Sequence, residues 1–216
     1  MNDIQGVLFD ADGTLIDTYD IILTSMRYAV NDVLGCSLDD AELMAGVGTP
    51  LYDQMLHFTG GDAARATEIT QIYRDHNDGV HDARIRAFGD TKAALERFQA
   101  AGIPMGVVTS KRHAMAQRGL EMSGIADHFQ FLIGHDDWPE HKPAPGPILR
   151  GCELLGVASE CSLYVGDSPF DIQAGNAAGC ATAAALWGMF PCEVLAAERP
   201  TLMCDSLTEL ADWLGI

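Results

Sequence analysis

The sequence predicts an α/β protein, a Rossmann-like parallel sheet core with a small all-α cap inserted after the first strand. Three observations predict it. An apolar run at residues 4–9 ends in the polar turn Asp10-Ala11-Asp12-Gly13-Thr14, as a buried strand entering a loop does. From there to about residue 80 only helix signals follow. Beyond residue 85, short apolar runs alternate with helix-patterned segments, the order that gives a parallel sheet covered on both faces. The core is accordingly assigned to residues 1–15 and 81–216, and the cap to residues 16–80.

Each element has a local reason. Residues 18–34 carry helical spacing, and Gly35 supplies a C-terminal cap. Thr49-Pro50 starts a second helix, and Gly60-Gly61-Asp62 breaks the chain and starts a third. Asp90 caps a helix that ends at Ala101-Gly102. Then come a strand at 104–108, a helix at 111–123, a strand at 131–133 and a helix at 145–155 closed by Gly156. A strand at 162–165, a helix at 171–178 closed by Gly179 and a strand at 181–185 follow. Ser206 caps a last helix at 207–214.

Composition narrows the function classes. Hydrophobic residues make up 48% of the 216 and charged residues 20%, enough apolar surface for a packed core. The 13 Lys+Arg stand against 31 Asp+Glu, a formal net charge of −18. Counterion release from nucleic acid needs clustered Lys and Arg, and no basic run exists here. The same charge disfavours an anionic membrane surface, and no apolar stretch reaches the roughly 18 residues of a membrane span. The opening residues MNDIQGVLFDADG do not read as a signal peptide. Six cysteines without a Cys-x-x-Cys pair read as reduced, mostly buried thiols of a cytoplasmic protein. His135 and His141 read as loop residues.

In open α/β sheets ligands sit beyond the carboxyl ends of the strands. The expected strand ends deliver Asp10 and Asp12, then Thr109 and Ser110 followed by Lys111, then Lys142 in the next loop, then Asp167 with Asp171 beyond. Three acids, two hydroxyls and a lysine converging on one sheet edge suit phosphoryl transfer. Clustered carboxylates need a cation, and oxygen ligands suit Mg²⁺. An aspartate can attack phosphorus, and a second acid can protonate the leaving oxygen. Lysine and hydroxyl donors can hold the equatorial oxygens, while Gly13 lets the backbone approach a phosphate. Plainer readings exist: Thr109 and Ser110 as helix caps, Asp171 as a first-turn acid, and Gly46, Gly48 and Thr49 as a helix break rather than a loop facing substrate.

Together, Asp10-x-Asp12-Gly13-Thr14, the apolar strand ending in Thr109, Lys142-Pro143 and Gly166-Asp167-x-x-x-Asp171 resemble the haloacid dehalogenase superfamily, in the right order and essentially end to end. The resemblance implies Asp10 as nucleophile, Asp12 as general acid/base, and Lys142 as a phosphate binder that restrains Asp10. It also implies Gly13, Thr14, Thr109, Ser110 and Lys111 as phosphate or substrate binders, and Asp10, Asp12, Asp167 and Asp171 around Mg²⁺. Asp12 points to phosphate rather than dehalogenase chemistry, and the helical insert resembles the cap of the phosphoglycolate phosphatase-like subgroup. Val108-Thr109-Ser110-Lys111, Lys142-Pro143-Ala144-Pro145 and Trp187-Gly188 carry that finer likeness; the stretch from Asp136-Asp137 to Lys142-Pro143 also resembles bacterial pyrophosphatases. Pro169-Phe170 departs from both, which commonly have polar or basic residues there. The implied activity is a Mg²⁺-dependent phosphatase of a small phosphorylated metabolite, 2-phosphoglycolate first, working as a monomer or homodimer. The alternatives are pyrophosphate, sugar-phosphate or nucleotide hydrolysis, or a β-phosphoglucomutase-like mutase.

Overall fold

The structure is a computed structural model that describes residues 4–216. Six parallel strands form its sheet: β1 (Gly6–Phe9), β2 (Met105–Val108), β3 (Leu132–Ile133), β4 (Ser162–Gly166), β5 (Ala181–Ala185) and β6 (Leu202–Cys204), in the spatial order β3-β2-β1-β4-β5-β6. The chain winds outward one way through β2 and β3 and the other way from β4, so the order reverses at β1. A crevice opens at such a reversal, beyond the carboxyl ends of the strands.

Ten α-helices are described: α1 (Tyr19–Met26), α2 (Asp40–Met44), α3 (Leu51–Phe58), α4 (Ala63–Arg84), α5 (Thr91–Ala100), α6 (His113–Met122), α7 (Gly146–Leu155), α8 (Pro169–Ala178), α9 (Cys192–Ala197) and α10 (Leu207–Leu214). The sheet is covered on both faces because successive strand residues point opposite ways. Val7 and Phe9 of β1 pack with Leu95 and Phe98 of α5 and Leu210 of α10. Leu8, between them, packs with Ile148 of α7 and Ala174 of α8. The fold class is therefore the expected one.

From α1 to α4 the chain builds a separate apolar cluster around Met26, Leu43, Met55 and Ile69. Its two connections to the sheet lie side by side: Ile16 bridges Ala87, and the Asp17 N–H donates to the Arg86 carbonyl (2.9 Å). Across the other side, the Ser110 hydroxyl donates to the Gly48 carbonyl (2.6 Å), and Arg112 lies 3.5 Å from Asp78.

Several elements differ from expectation, each for a local reason. The helix expected over 18–34 changes at Arg27 into a π-helical turn, Arg27–Val33, before Gly35 closes it at φ +82°. Asp90 precedes α5, but its carboxylate accepts the Thr208 N–H (2.9 Å) instead of capping. The helix expected from 111 begins at His113, because Lys111 and Arg112 turn to Asp12 and Asp78. The helix expected from 171 begins at Pro169. Ser168 and Asp171 there form a reciprocal capping box, in which each side chain accepts the other's backbone N–H. The helices α2 and α9 and the edge strand β6 were not expected. The cysteines are all free, but only Cys152, Cys180 and Cys204 are buried, and Cys192 is exposed.

Candidate active site

The site grows out of the strand ladders. The Asp10 N–H donates to the Val165 carbonyl (2.9 Å), which continues the β1–β4 ladder one residue past β1 and fixes Asp10 at the sheet edge. Thr109 is held the same way by the Ile133 carbonyl (2.9 Å). The turn after Asp10 folds back, with the Gly13 N–H on the Ile16 carbonyl (2.8 Å). Gly13 sits at φ +79°, and a Cβ there would lie 2.1 Å from Asp167 Oδ2. Only glycine lets this turn pass so close to the carboxylate.

Lys142, in the loop before α7, is buried and makes three contacts. Its Nζ lies 2.9 Å from Asp10 Oδ1, 2.6 Å from Asp171 Oδ1 and 3.1 Å from the Tyr164 hydroxyl. The Tyr164 hydroxyl also lies 2.9 Å from the Val108 carbonyl and 3.1 Å from Asp171 Oδ1, so its single proton serves either acceptor. The Asp171 Oδ2 is held by the Ser168 hydroxyl (2.6 Å) and N–H (3.0 Å). Asp167 accepts the Met189 N–H (2.7 Å) and, more distantly, the Thr14 hydroxyl (3.4 Å).

Asp10, Asp167 and Asp171 thus bring carboxylate oxygens within 4.8 Å of one another, all buried, with one ammonium among them. Burial pushes the Asp10 carboxyl up to about 6, opposed by Lys142 and reinforced by Asp171. Burial, then Asp171 and Asp10, holds Asp167 well above the carboxylate range. Lys142 is raised too, but against burial, which alone would lower it: Asp10 and Asp171 hold it well above its ordinary value. Such a set is short of positive charge. Its all-oxygen donors fit a hard divalent cation. Asp171 already has partners on both oxygens, whereas Asp10 Oδ2 has none among the described residues. Asp10 and Asp167 also line the open cavity at this edge, which Asp171 does not, so they are the better placed direct ligands.

A cavity of about 120 Å³ lies over this edge, between the strand-end loops and the α1–α4 layer. Asp10, Asp12, Thr109, Ser110, Lys111 and Asp167 all line it. Asp12 Oδ1 accepts from Lys111 Nζ (2.8 Å). The remaining expected site residues stand behind the wall. Lys142 and Asp171 are buried beneath it, and Gly13 backs Asp167. Thr14 is buried too: its hydroxyl turns to Asp167 and its carbonyl accepts the Trp187 indole N–H (2.9 Å), so it faces away from the cavity. Neither Thr109 nor Ser110 caps α6, whose N-cap residue is Arg112. Val47, Gly48 and Thr49 reach the cavity from the helical layer. A Cβ on Gly48, at φ +103°, would lie 2.7 Å from Ser168 Oγ, so the loop's approach requires glycine.

Sequence reasoning missed Tyr164, the Met189 amide and the residues α4 contributes, Tyr73, Arg74, Asn77 and Asp78. The period of β4 places Tyr164 on the face opposite Leu163 and Val165, which hints at Tyr164 alone.

Comparison with known proteins agrees with this geometry. Residues 7–185 match the family Haloacid dehalogenase-like hydrolase. The chain is 37% identical over 207 residues to "Putative pyrophosphatase PpaX" of Caldanaerobacter subterraneus, covering 96% of this chain and 93% of that protein. It is 32% identical to pyrophosphatase PpaX of Anoxybacillus flavithermus, over 99% and 98% of the two chains. A predicted phosphoglycolate phosphatase of Haemophilus somnus superposes with a TM-score of 0.84 at 25% identity, covering 99% of each chain. The order of strands, the buried acids at their ends and these likenesses agree: the chain belongs to the haloacid dehalogenase-like hydrolase family, as one of its phosphatases.

Proposed function

We propose that the protein hydrolyses a small phosphate anhydride or ester with Mg²⁺ bound, through a phosphoryl group carried transiently on Asp10. The observation that carries this is the placement of two carboxylates, Asp10 and Asp12, on one cavity with different partners. Asp10 is buried against Lys142, and Asp12 is more open, on Lys111. Two acids in different environments suit two roles.

Asp10 attacks phosphorus while Lys142 holds its carboxylate in place. The bond from phosphorus to the leaving oxygen breaks, and Asp12 gives that oxygen a proton. A water molecule then attacks the acyl phosphate, its proton passes to Asp12, and the bond to Asp10 breaks. Thr109, Ser110 and Lys111 receive the phosphoryl oxygens. Asp10, Asp167 and the Asp12 carbonyl would hold Mg²⁺, with Asp171 supporting them through Lys142 and Ser168. The ion offsets the charge on phosphate and nucleophile. The α1–α4 layer acts as the cap that excludes water. No helix among the described residues is long and apolar enough to cross a membrane, and we assign the protein to the cytoplasm.

For the substrate, inorganic pyrophosphate now precedes 2-phosphoglycolate. The relatives bearing the pyrophosphatase name match along nearly the whole chain, at higher identity than the phosphoglycolate phosphatase structure. Phosphate release should be measured with Mg²⁺ on pyrophosphate, 2-phosphoglycolate, hexose phosphates and nucleotides. One preferred substrate, lost in Asp10→Asn and with EDTA, supports the proposal. No release from any, with the protein folded, overturns it.

A further inference from the structure

The α4 helix presents one face to the cavity, through Tyr73, Arg74, Asn77 and Asp78, spaced as one helix face requires. Arg74 differs from its neighbours in having no hydrogen-bond or ion-pair partner among the described residues. Its Nε is buried without a hydrogen-bond partner, and it forms no ion pair among the described residues. Arg65 on the same helix pairs with Glu68, and Arg112 across the cavity lies 3.5 Å from Asp78.

The acids around Arg74 are committed elsewhere. Asp78 faces Arg112, Asp136 accepts the His113 N–H (2.7 Å), and Asp75 accepts from Gln71 (2.7 Å). Burial and the Arg112 guanidinium work against its charge, and Asp78 and Asp136 favour it only from a distance, with no hydrogen bond or ion pair to it. Yet a guanidinium does not release its proton in the neutral range. A permanent, partly desolvated cation in a cavity calls for an anion, because an unpaired charge there is costly.

We infer that Arg74 is the receptor for the anionic group of the substrate that is not transferred, and so sets the preference for doubly anionic substrates. The inference rests on the reading of Asp10 as the nucleophile. With the transferring phosphoryl group at the strand ends, the remainder of the substrate extends toward the helical layer, where Arg74 waits. Its planar fork fits two oxygens of a phosphate or a carboxylate at once.

The test compares pyrophosphate with p-nitrophenyl phosphate, whose second group is neutral under assay conditions. In Arg74→Met the ratio of kcat/KM for pyrophosphate over p-nitrophenyl phosphate should fall on the order of 30-fold, as loss of a charged hydrogen-bonding partner implies. Arg74→Lys, which keeps the charge but not the fork, should fall less. An equal loss on both substrates overturns the inference, since a merely structural residue would act that way.

A binding arm separates this inference from the choice of substrate. Calorimetry with Mg²⁺ would compare methylenediphosphonate with methylphosphonate. The wild type should prefer the diphosphonate, and Arg74→Met should lose that preference. If pyrophosphate is not turned over but the preference is present and lost in Arg74→Met, the substrate assignment falls and the role of Arg74 stands. If neither variant changes the preference, Arg74 is not the receptor, whatever the substrate.

Discussion

The Lys142 ammonium lies closer to Asp171 (2.6 Å) than to Asp10 (2.9 Å), so the lysine is anchored from the α8 side and offered to Asp10. Asp171 is itself locked by the Ser168 hydroxyl and N–H. The chain of contacts runs from a helix cap to the Asp10 carboxylate without leaving the protein interior. Asp171 is thereby tied through Lys142 to a carboxylate 161 positions away from it in sequence.

The first prediction follows from that anchoring. Lys142→Met leaves Asp10, Asp167 and Asp171 buried with no cation among them. Removing one partner of a buried ion pair costs about 3–5 kcal/mol. Urea denaturation at neutral pH with EDTA should show a loss of that size, shrinking as the pH is lowered and the carboxyls take up protons. Activity should vanish. A variant as stable as the wild type at pH 7 would show that the lysine is not needed to balance these acids.

The pH dependence has a definite sign. In the metal-free protein, Asp10 is raised by burial to about 6, from 3.8 when unperturbed. The folded state holds this proton more tightly. Its contribution to stability is therefore full below 3.8 and is lost as the pH rises through about 6. Against Asp10→Asn, the wild type should lose about 2–3 kcal/mol between pH 4 and 7, because each tenfold difference in proton affinity between folded and unfolded chains is worth about 1.4 kcal/mol. Adding Mg²⁺ should reverse the trend, because the ion binds the ionised carboxylate and releases the proton. Denaturation curves of the two proteins that stay parallel across this range would contradict the assignment.

Gly13 tests the fit around Asp167. In Gly13→Ala the new methyl group would meet Asp167 Oδ2, and alanine would also sit at φ +79°. The backbone strain costs about 1–3 kcal/mol. Displacing Asp167 should weaken Mg²⁺ binding by at least about tenfold. Calorimetric titration with Mg²⁺ reads this directly, and unchanged affinity would mean Asp167 does not hold the ion.

Gly48 tests the approach of the helical layer. In Gly48→Ala a methyl group would press on Ser168 Oγ and disturb the Ser110 hydrogen bond to the Gly48 carbonyl. Activity should fall on the order of tenfold in kcat/KM, since small displacements of a closing layer are costly to catalysis. The thermal unfolding of the sheet core should be little affected, because Gly48 packs on the loop around Ser168 and not within the sheet. A variant with full activity would show that this contact is dispensable for closure.

Much of this was legible from local signals. The strand at β1 and the turn with Asp10 and Asp12 were visible because an apolar run ended abruptly in acids and glycine. Helix α10 was visible from Ser206, which caps it by accepting the Glu209 N–H (3.0 Å). Helix α2 had a signal that went unused: Asp39 and Glu42 form a capping box, a pattern readable at three-residue spacing. The same pattern, Ser168 with Asp171, marks the true start of α8. Asp90 shows the opposite case, where a tertiary partner, the Thr208 amide, took the side chain a local rule had assigned to a cap.

By itself the sequence determined the fold class and the acids of the site. Strand–helix alternation and Asp-x-Asp at a strand end are short-range patterns, written within a few residues of one another. Only the tertiary structure decided which groups meet. Tyr164 reaches Lys142 because β4 lies beside β1. Thr14 turns from the cavity because the Trp187 indole claims its carbonyl. Among the described residues Arg74 stands unpaired because the acids near it are held by Arg112, His113 and Gln71. Each of these depends on packing between segments far apart in the chain, which no local pattern encodes.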